Sequence, residues 1–257
     1  MKTTLIVGIL SFISFFPVFA QEEMNTEKDE KKEMMEEKEP KAHFAVNFVH
    51  NSVAGFFPVF LGTFETKKKF DVTFYNILWT NATFGTPSTG GDMWLENGVG
   101  LGFHALDNEL FINPSIGFTH GKFLSGSTHT KLFEGMVPNV LVIYNHKRFE
   151  FEGYFALYKA MRQGHGGQRD FILNWAYPGV KITKRISAGG YYEQFRLMRN
   201  ETAANAPTGD IYQNVGGYIK FGFDNGINAR IGLGVNLQTD LNSAGEFYKM
   251  NVFIPLH

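Results

Sequence analysis

Between residues 148 and 158 the chain reads RFEFEGYFALY, with apolar and polar side chains in turn. Phe149, Phe151, Phe155 and Leu157 share one side with Gly153, and Arg148, Glu150, Glu152, Tyr154 and Tyr158 share the other. Successive side chains of an extended chain point to opposite faces, so the period of two predicts a strand with one oily and one ionised side. INARIGLGVNL repeats the pattern, setting Ile231, Leu233 and Val235 against Asn228, Arg230 and Asn236. FYKMNVFIPL sets Tyr248, Met250 and Val252 against Lys249 and Asn251, LENGVGLGF sets Leu95 and Val99 against Glu96 and Gly98, and FDVTFY sets Val72 and Phe74 against Asp71 and Tyr75. About twelve such segments follow one another, near 43–50, 54–64, 68–80, 92–105, 109–119, 132–145, 148–161, 170–182, 185–197, 210–223, 227–237 and 246–256. No helical period interrupts them.

The joins between segments alternate in length. Short ones fall at ETKK, Asp107-Asn108, HK, TK and DNG, and long ones at NATFGTPSTGG, HGKFLSGSTHT, RQGHGGQR, RNETAANAPTG and QTDLNSAG, apart from a short first loop near Asn51. Transmembrane barrels have this rhythm, with tight periplasmic turns and longer extracellular loops. Pro58, Pro114, Pro138 and Pro178 fall inside predicted strands, where each removes a ladder donor, so ten or fourteen strands stay open beside twelve. ISAGGYYEQFRLM and NVLVIYN have mixed faces and give no inner row.

Alternation alone does not separate inside from outside. Segments of ten or more residues suit a tilted bilayer crossing, and a polar row mixing Gly with Arg, Glu and Asn suits a wet interior. The expected fold is therefore all-β, an antiparallel transmembrane β-barrel of about twelve strands whose Phe149 row meets lipid and whose Glu150 row meets water. A soluble exported β-protein is the architectural alternative. Trp79, Trp94 and Trp175 fall near the loop ends of their strands, where an aromatic girdle at the outer interface is expected.

Composition refines this picture without redirecting it. The 257 residues include 27 Phe, 28 Gly and no Cys, which excludes disulfides, Cys-based zinc sites and lipid attachment to an N-terminal Cys. A net charge of −1 points to no nucleic-acid partner. Residues 1–20, an apolar run with Lys2 before it and Val18-Phe19-Ala20 after it, read as a cleaved signal peptide. Residues 21–42 carry nine acidic and five basic groups and no aromatic, and read as a periplasmic tail, disordered or helical. The barrel then spans 43–257.

The exported start ending in VFA, the alternating strands, the loop rhythm and the terminal strand FYKMNVFIPLH together resemble Gram-negative outer-membrane β-barrels of the porin or channel class. That resemblance implies residence in the cell outer membrane, contact with its lipid, and recognition of the last strand by the barrel assembly machinery. The chain closes on Pro255-Leu256-His257, which departs from the usual terminal aromatic. In size it resembles both twelve-stranded nucleoside-type channels and barrel phospholipases, with no motif selecting either.

Chemistry is sparse. GVGLG lies inside a strand pattern and not at a strand-to-helix turn, so a nucleotide-binding reading fails and the glycines are expected to relieve crowding. No histidine falls in a metal or catalytic spacing, and His120, His129 and His165 are expected in solvated loops. No catalytic residue, metal or cofactor is expected, and the protein is not expected to be an enzyme. The candidates are lumen charges: Arg148, Glu150, Glu152, Arg230 and Lys249, with Tyr154, Glu96 and Asp71 on the same kind of row. They form either a paired ion network closing a narrow barrel or a constriction that orients a small polar solute. The expected function is a small channel or facilitator for polar solutes. The alternatives are a closed barrel with a structural or surface-binding role and, behind it, a lipid-modifying barrel enzyme.

Overall fold

A computed structural model describes residues 41–66, 69–80, 93–164, 166–201, 203, 206–237 and 245–256. The predicted signal peptide, all but the last two residues of the tail, the loop at 81–92, most of the loop at 237–245, His165 and His257 lie outside the described residues. Twelve strands form: β1 (Ala42–Asn51), β2 (Gly55–Phe64), β3 (Asp71–Trp79), β4 (Trp94–Ala105), β5 (Leu110–Gly121) and β6 (Lys131–Asn145). They continue with β7 (Phe149–Ala160), β8 (Arg169–Lys181), β9 (Ile186–Asn200), β10 (Gly209–Gly222), β11 (Asn228–Asn236) and β12 (Glu246–Leu256). Each predicted segment has its strand, with ends differing by three residues or fewer.

Each strand pairs antiparallel with its sequence neighbours, and β1 closes on β12 from Phe44↔Leu256 to Asn51↔Lys249. The sheet is a closed barrel with no free edge. Left-handed backbone at Leu106, Asp107 and Asn108 makes the tight β4–β5 turn, and Gly226, at φ 80°, makes the one between β10 and β11.

The prolines leave the strand count at twelve. The β6–β7 ladder skips Val137 and Pro138 and resumes in the same register, and the β8–β9 ladder does the same across Tyr177 and Pro178. Pro114 faces a similar gap between β4 and β5. Each missing N–H costs rows of pairing but shifts nothing.

The two faces separate as the alternation predicts. Along β7, Phe149 and Phe155 are 53% and 46% exposed on the outside, while Glu150, Ala156 and Tyr158 are buried inside. Phe44, Phe48, Phe56, Phe60, Val99, Leu101, Ile219, Ile231, Leu233 and Met250 continue an apolar outer surface. One outer sector departs from it. Asn174 donates to Gln194 at 3.0 Å, Gln194 to Asp210 at 2.7 Å, Arg196 to Asp210 at 3.3 Å, and Gln213 to Tyr192 at 3.1 Å. These polar groups satisfy one another across β8, β9 and β10, the condition for tolerating them on an apolar wall.

The inner row of β4 is glycine-rich for a steric reason. A Cβ on Gly98 would run into the ring of Tyr75, one on Gly100 into Ser115, and one on Gly102 into Phe111. The GVGLG stretch thus makes room for side chains that cross the lumen.

Candidate functional site

The lumen has two unlike walls. On β7 through β12 the inward side chains include ions and tyrosines, beside Leu173, Trp175 and Phe195. Glu150 pairs with Lys220 and accepts from Ser187 Oγ at 2.9 Å and Tyr218 OH at 2.8 Å. Glu152 pairs with Arg230 at 2.5 Å, and that guanidinium lies 4.2 Å from the centre of the Tyr177 ring and 5.3 Å from that of Tyr218. Glu193 pairs with Lys249 at 2.5 Å and accepts from the hydroxyls of Tyr191 at 2.6 Å and Tyr212 at 2.7 Å. The Lys249 ammonium sits 5.6 Å from the Trp175 ring and 5.9 Å from those of Tyr177 and Tyr191. Each ion trades hydration for a counter-ion, a hydroxyl or a ring face, which is how charge persists in a confined interior.

Glu96, fully buried on β4, is held differently. It accepts from Tyr75 OH and Tyr158 OH at 3.0 Å each and from Trp79 Nε1 at 3.2 Å, and among the described residues no cation pairs with it.

The inner wall of β1–β3 and β6 is mostly apolar, with Val49, Val59, Leu61, Ile77, Leu141 and Ile143 bordering a cavity of about 420 Å³. The cavity runs from His43 and Pro255, near the short-turn end, to Phe57, Trp79 and Tyr212 near the long-loop end. Glu152, Tyr154, Trp175, Glu193 and Lys249 border its ionic side.

The long-loop end is roofed by chain that turns inward. In the β1–β2 connection, the Asn51 side chain accepts from the backbone N–H of Val53 at 2.9 Å, and Val53 and Ala54 are buried. In the β5–β6 connection, Phe123, Leu124 and Ser125 are buried, although the segment was expected as an outer loop. Glu134 Oε1 accepts from Ser125 N at 2.6 Å and Ser125 Oγ at 2.8 Å. The carbonyls of Leu124 and Ser125 accept from Arg169 N at 2.8 Å and Gly164 N at 2.9 Å. Phe123 then joins a run of rings around the roof: Phe57 to Trp79 at 4.6 Å, Trp79 to Trp94 at 5.0 Å, and Trp94 to Phe123 at 5.2 Å. From Phe123 the run continues to Phe171 at 4.8 Å, Phe195 at 4.8 Å and Tyr212 at 5.8 Å.

Of the residues singled out from sequence, Glu96, Glu150, Glu152, Tyr154, Arg230 and Lys249 face the interior; Glu150, Arg230 and Lys249 are linked through the rings of Tyr218 and Tyr177, and Glu96 has its own hydroxyl partners. Asp71 is inward at the short-turn mouth, 2.9 Å from His104 Nε2. Arg148 is not a lumen residue: it is exposed in the three-residue turn before β7, beyond the point where the strand alternation begins. The tryptophan girdle is also corrected. Trp79 and Trp94 are buried in the roof, and Trp175 borders the cavity, stacked on Tyr154 at 5.5 Å. Trp79 and Trp94 lie at the long-loop ends of β3 and β4 but point inward, because Trp79 shares the row of Asp71 and Tyr75 and Trp94 that of Glu96, while Trp175 sits midway along β8. His120 ends up on β5, bonded to Asn97 at 2.9 Å, and His129 is exposed in the loop after it. Among the described residues no group of three or more His, Cys, Asp or Glu could hold a metal ion.

Sequence reasoning missed Lys220, Glu193 and the inward loop. Lys220 alternates with Ile219 and Phe221 and was readable; Glu193 lies on a strand with no clean period.

No curated protein matches the chain at a significant level. Among solved structures it is similar to the KdgM porin, determined in complex with disordered oligogalacturonate, with a TM-score of 0.46 and 10% identity over 83% of this chain and 99% of the porin. It is similar to the NanC porin, with a TM-score of 0.49 and 10% identity over 82% of this chain and 97% of that one. A third similar structure is OccK5 (OpdH) of Pseudomonas aeruginosa, with a TM-score of 0.43 and 8% identity over 82% of this chain and 62% of the other. Over residues 1–256 the chain matches one family model, and it belongs to that family, the family of unknown function DUF6733.

Proposed function

We propose that the protein is an outer-membrane barrel that lets small, partly polar solutes cross through its lumen. The observation that carries this reading is the cavity of about 420 Å³ that extends along the inside of a closed barrel whose outside is apolar. An apolar outer belt is stable against lipid and costly against water. A lumen filled by side chains alone would need no such chamber. The roof formed by Phe123–Ser125 and the ring stack marks the narrow point, and the Glu134 carboxylate that holds Ser125 is its anchor.

The test is conductance of the refolded protein in planar lipid bilayers, beside a variant in which Glu134→Ala frees the inward loop. Discrete current steps, larger or more frequent in the variant, are expected. Flat traces from both proteins, each shown to be folded, would overturn the reading. They would favour a closed barrel with a structural role, which the pairing of the lumen ions and the filled roof also support.

A further inference from the structure

The ionic wall offers a ligand one group that its neighbours leave open. Of the ions bordering the cavity, Glu193 and Lys249 are 3% and 8% exposed and are engaged with each other, two tyrosine hydroxyls and three ring faces. The Glu152 side chain is 31% exposed. Among the described residues it accepts a single hydrogen bond, from Arg230 on Oε2, which leaves the acceptor capacity of Oε1 unused in a side chain that borders the chamber. On the same inward row, Tyr154 stacks on Trp175 and gives a flat aromatic surface beside that carboxylate. Val59, Leu61 and Ile77 face it from across the lumen, and Leu141 and Ile143 flank it on β6.

We propose that this chamber binds small organic cations: a primary ammonium group hydrogen-bonded to Glu152, with an aromatic or branched aliphatic body between the Tyr154–Trp175 surface and the apolar wall. This deepens the solute-path reading and rests on it for its purpose, while the binding itself is measurable alone. A carboxylate already bonded on one oxygen to Arg230 takes a second cation on the other, whereas an anion there meets like charge. A strongly hydrated solute gains nothing from the oily wall, so the body and the head must come together.

All three tryptophans lie inside the barrel, and Trp79 and Trp175 border the chamber, so their emission reports occupancy. The folded protein in detergent micelles is titrated with phenethylammonium, phenylacetate and methylammonium, and an E152Q variant with phenethylammonium. A saturable change with phenethylammonium is expected, with midpoints at least ten-fold higher for phenylacetate, for methylammonium and for the variant. An absent or unsaturable response to phenethylammonium, or equal midpoints for the cation and the anion, would overturn the proposal. The three-ligand comparison on the unaltered protein decides the matter if E152Q does not fold. Bilayer conductance is read separately: binding with flat traces removes the transport reading and leaves the site, and current without cation selectivity in binding does the reverse.

Discussion

Arg230 shows what a single lumen residue does. Its guanidinium has Glu152 on one side and the faces of Tyr177 and Tyr218 on the other, and it is buried. Arg230→Ala leaves the Glu152 carboxylate without its cation, and because that side chain is 31% exposed the cost falls below the about 3–5 kcal/mol of breaking a fully buried pair. The expected outcome is a lower unfolding midpoint in urea than for the double variant Glu152→Gln, Arg230→Met, which removes both charges. A single variant as stable as the double would show the pair to be unimportant. The tryptophans carry a second residue-scale expectation. With all three rings turned inward, lipids brominated on their acyl chains leave most of the emission unquenched in proteoliposomes, whereas an outer girdle would be quenched strongly. The inward side was legible for Trp94, since it is two residues from Glu96 in a clean alternation. Reading the height of a residue without its parity gave the wrong face.

At the scale of elements, a strand was readable when the barrel kept to one rule, apolar out and polar in. β11, β7 from Phe149 to Tyr154 and β12 from Tyr248 to Val252 follow it, while Phe247 and Phe253 of β12 turn inward and Lys159 of β7 outward. β6 and β9 break it in opposite directions. Leu141 and Ile143 of β6 point into the cavity while Val140 and Val142 point out, so both faces are oily. On β9, Gln194 and Arg196 point out while Glu193 points in, so both faces are polar. The sequence patterns there looked mixed because each strand borders something unusual, the apolar wall on one side of the lumen and the hydrogen-bonded outer sector on the other. The β5–β6 connection was unreadable for another reason. Its inward turn depends on Glu134 and on the β7–β8 loop meeting it, contacts that local periodicity does not encode. On the inner row of β4, Gly98→Val would place methyl groups inside the Tyr75 ring. The expected result is loss of the compact, unheated species on SDS gels, with recovery when Tyr75→Ala is added; failure of the second change to restore it would remove the steric explanation.

The whole molecule adds what no strand carries. Glu150 and Lys220 are seventy residues apart, and only closure with the observed registers brings them together. The same closure divides the lumen into an ionic arc from β7 to β12 and an apolar arc from β1 to β3 and β6, a division invisible along the chain. It also makes stability a property of the ring. Deleting β12 would strand the ladders of β1 and β11 at once and take Lys249 from Glu193, leaving two open edges and an uncompensated carboxylate. Deleting residues 21–40 leaves every rung among the described residues in place, because these run from Ala42 to Leu256 and close the ring. In refolding from urea into detergent, the chain without its charged tail should yield the compact, heat-modifiable species in the same proportion as the chain from residue 21 onward, and the chain without β12 should yield none. A folded product lacking β12, or a fold that fails without the tail, would mean that closure of the ring is not what holds the barrel together.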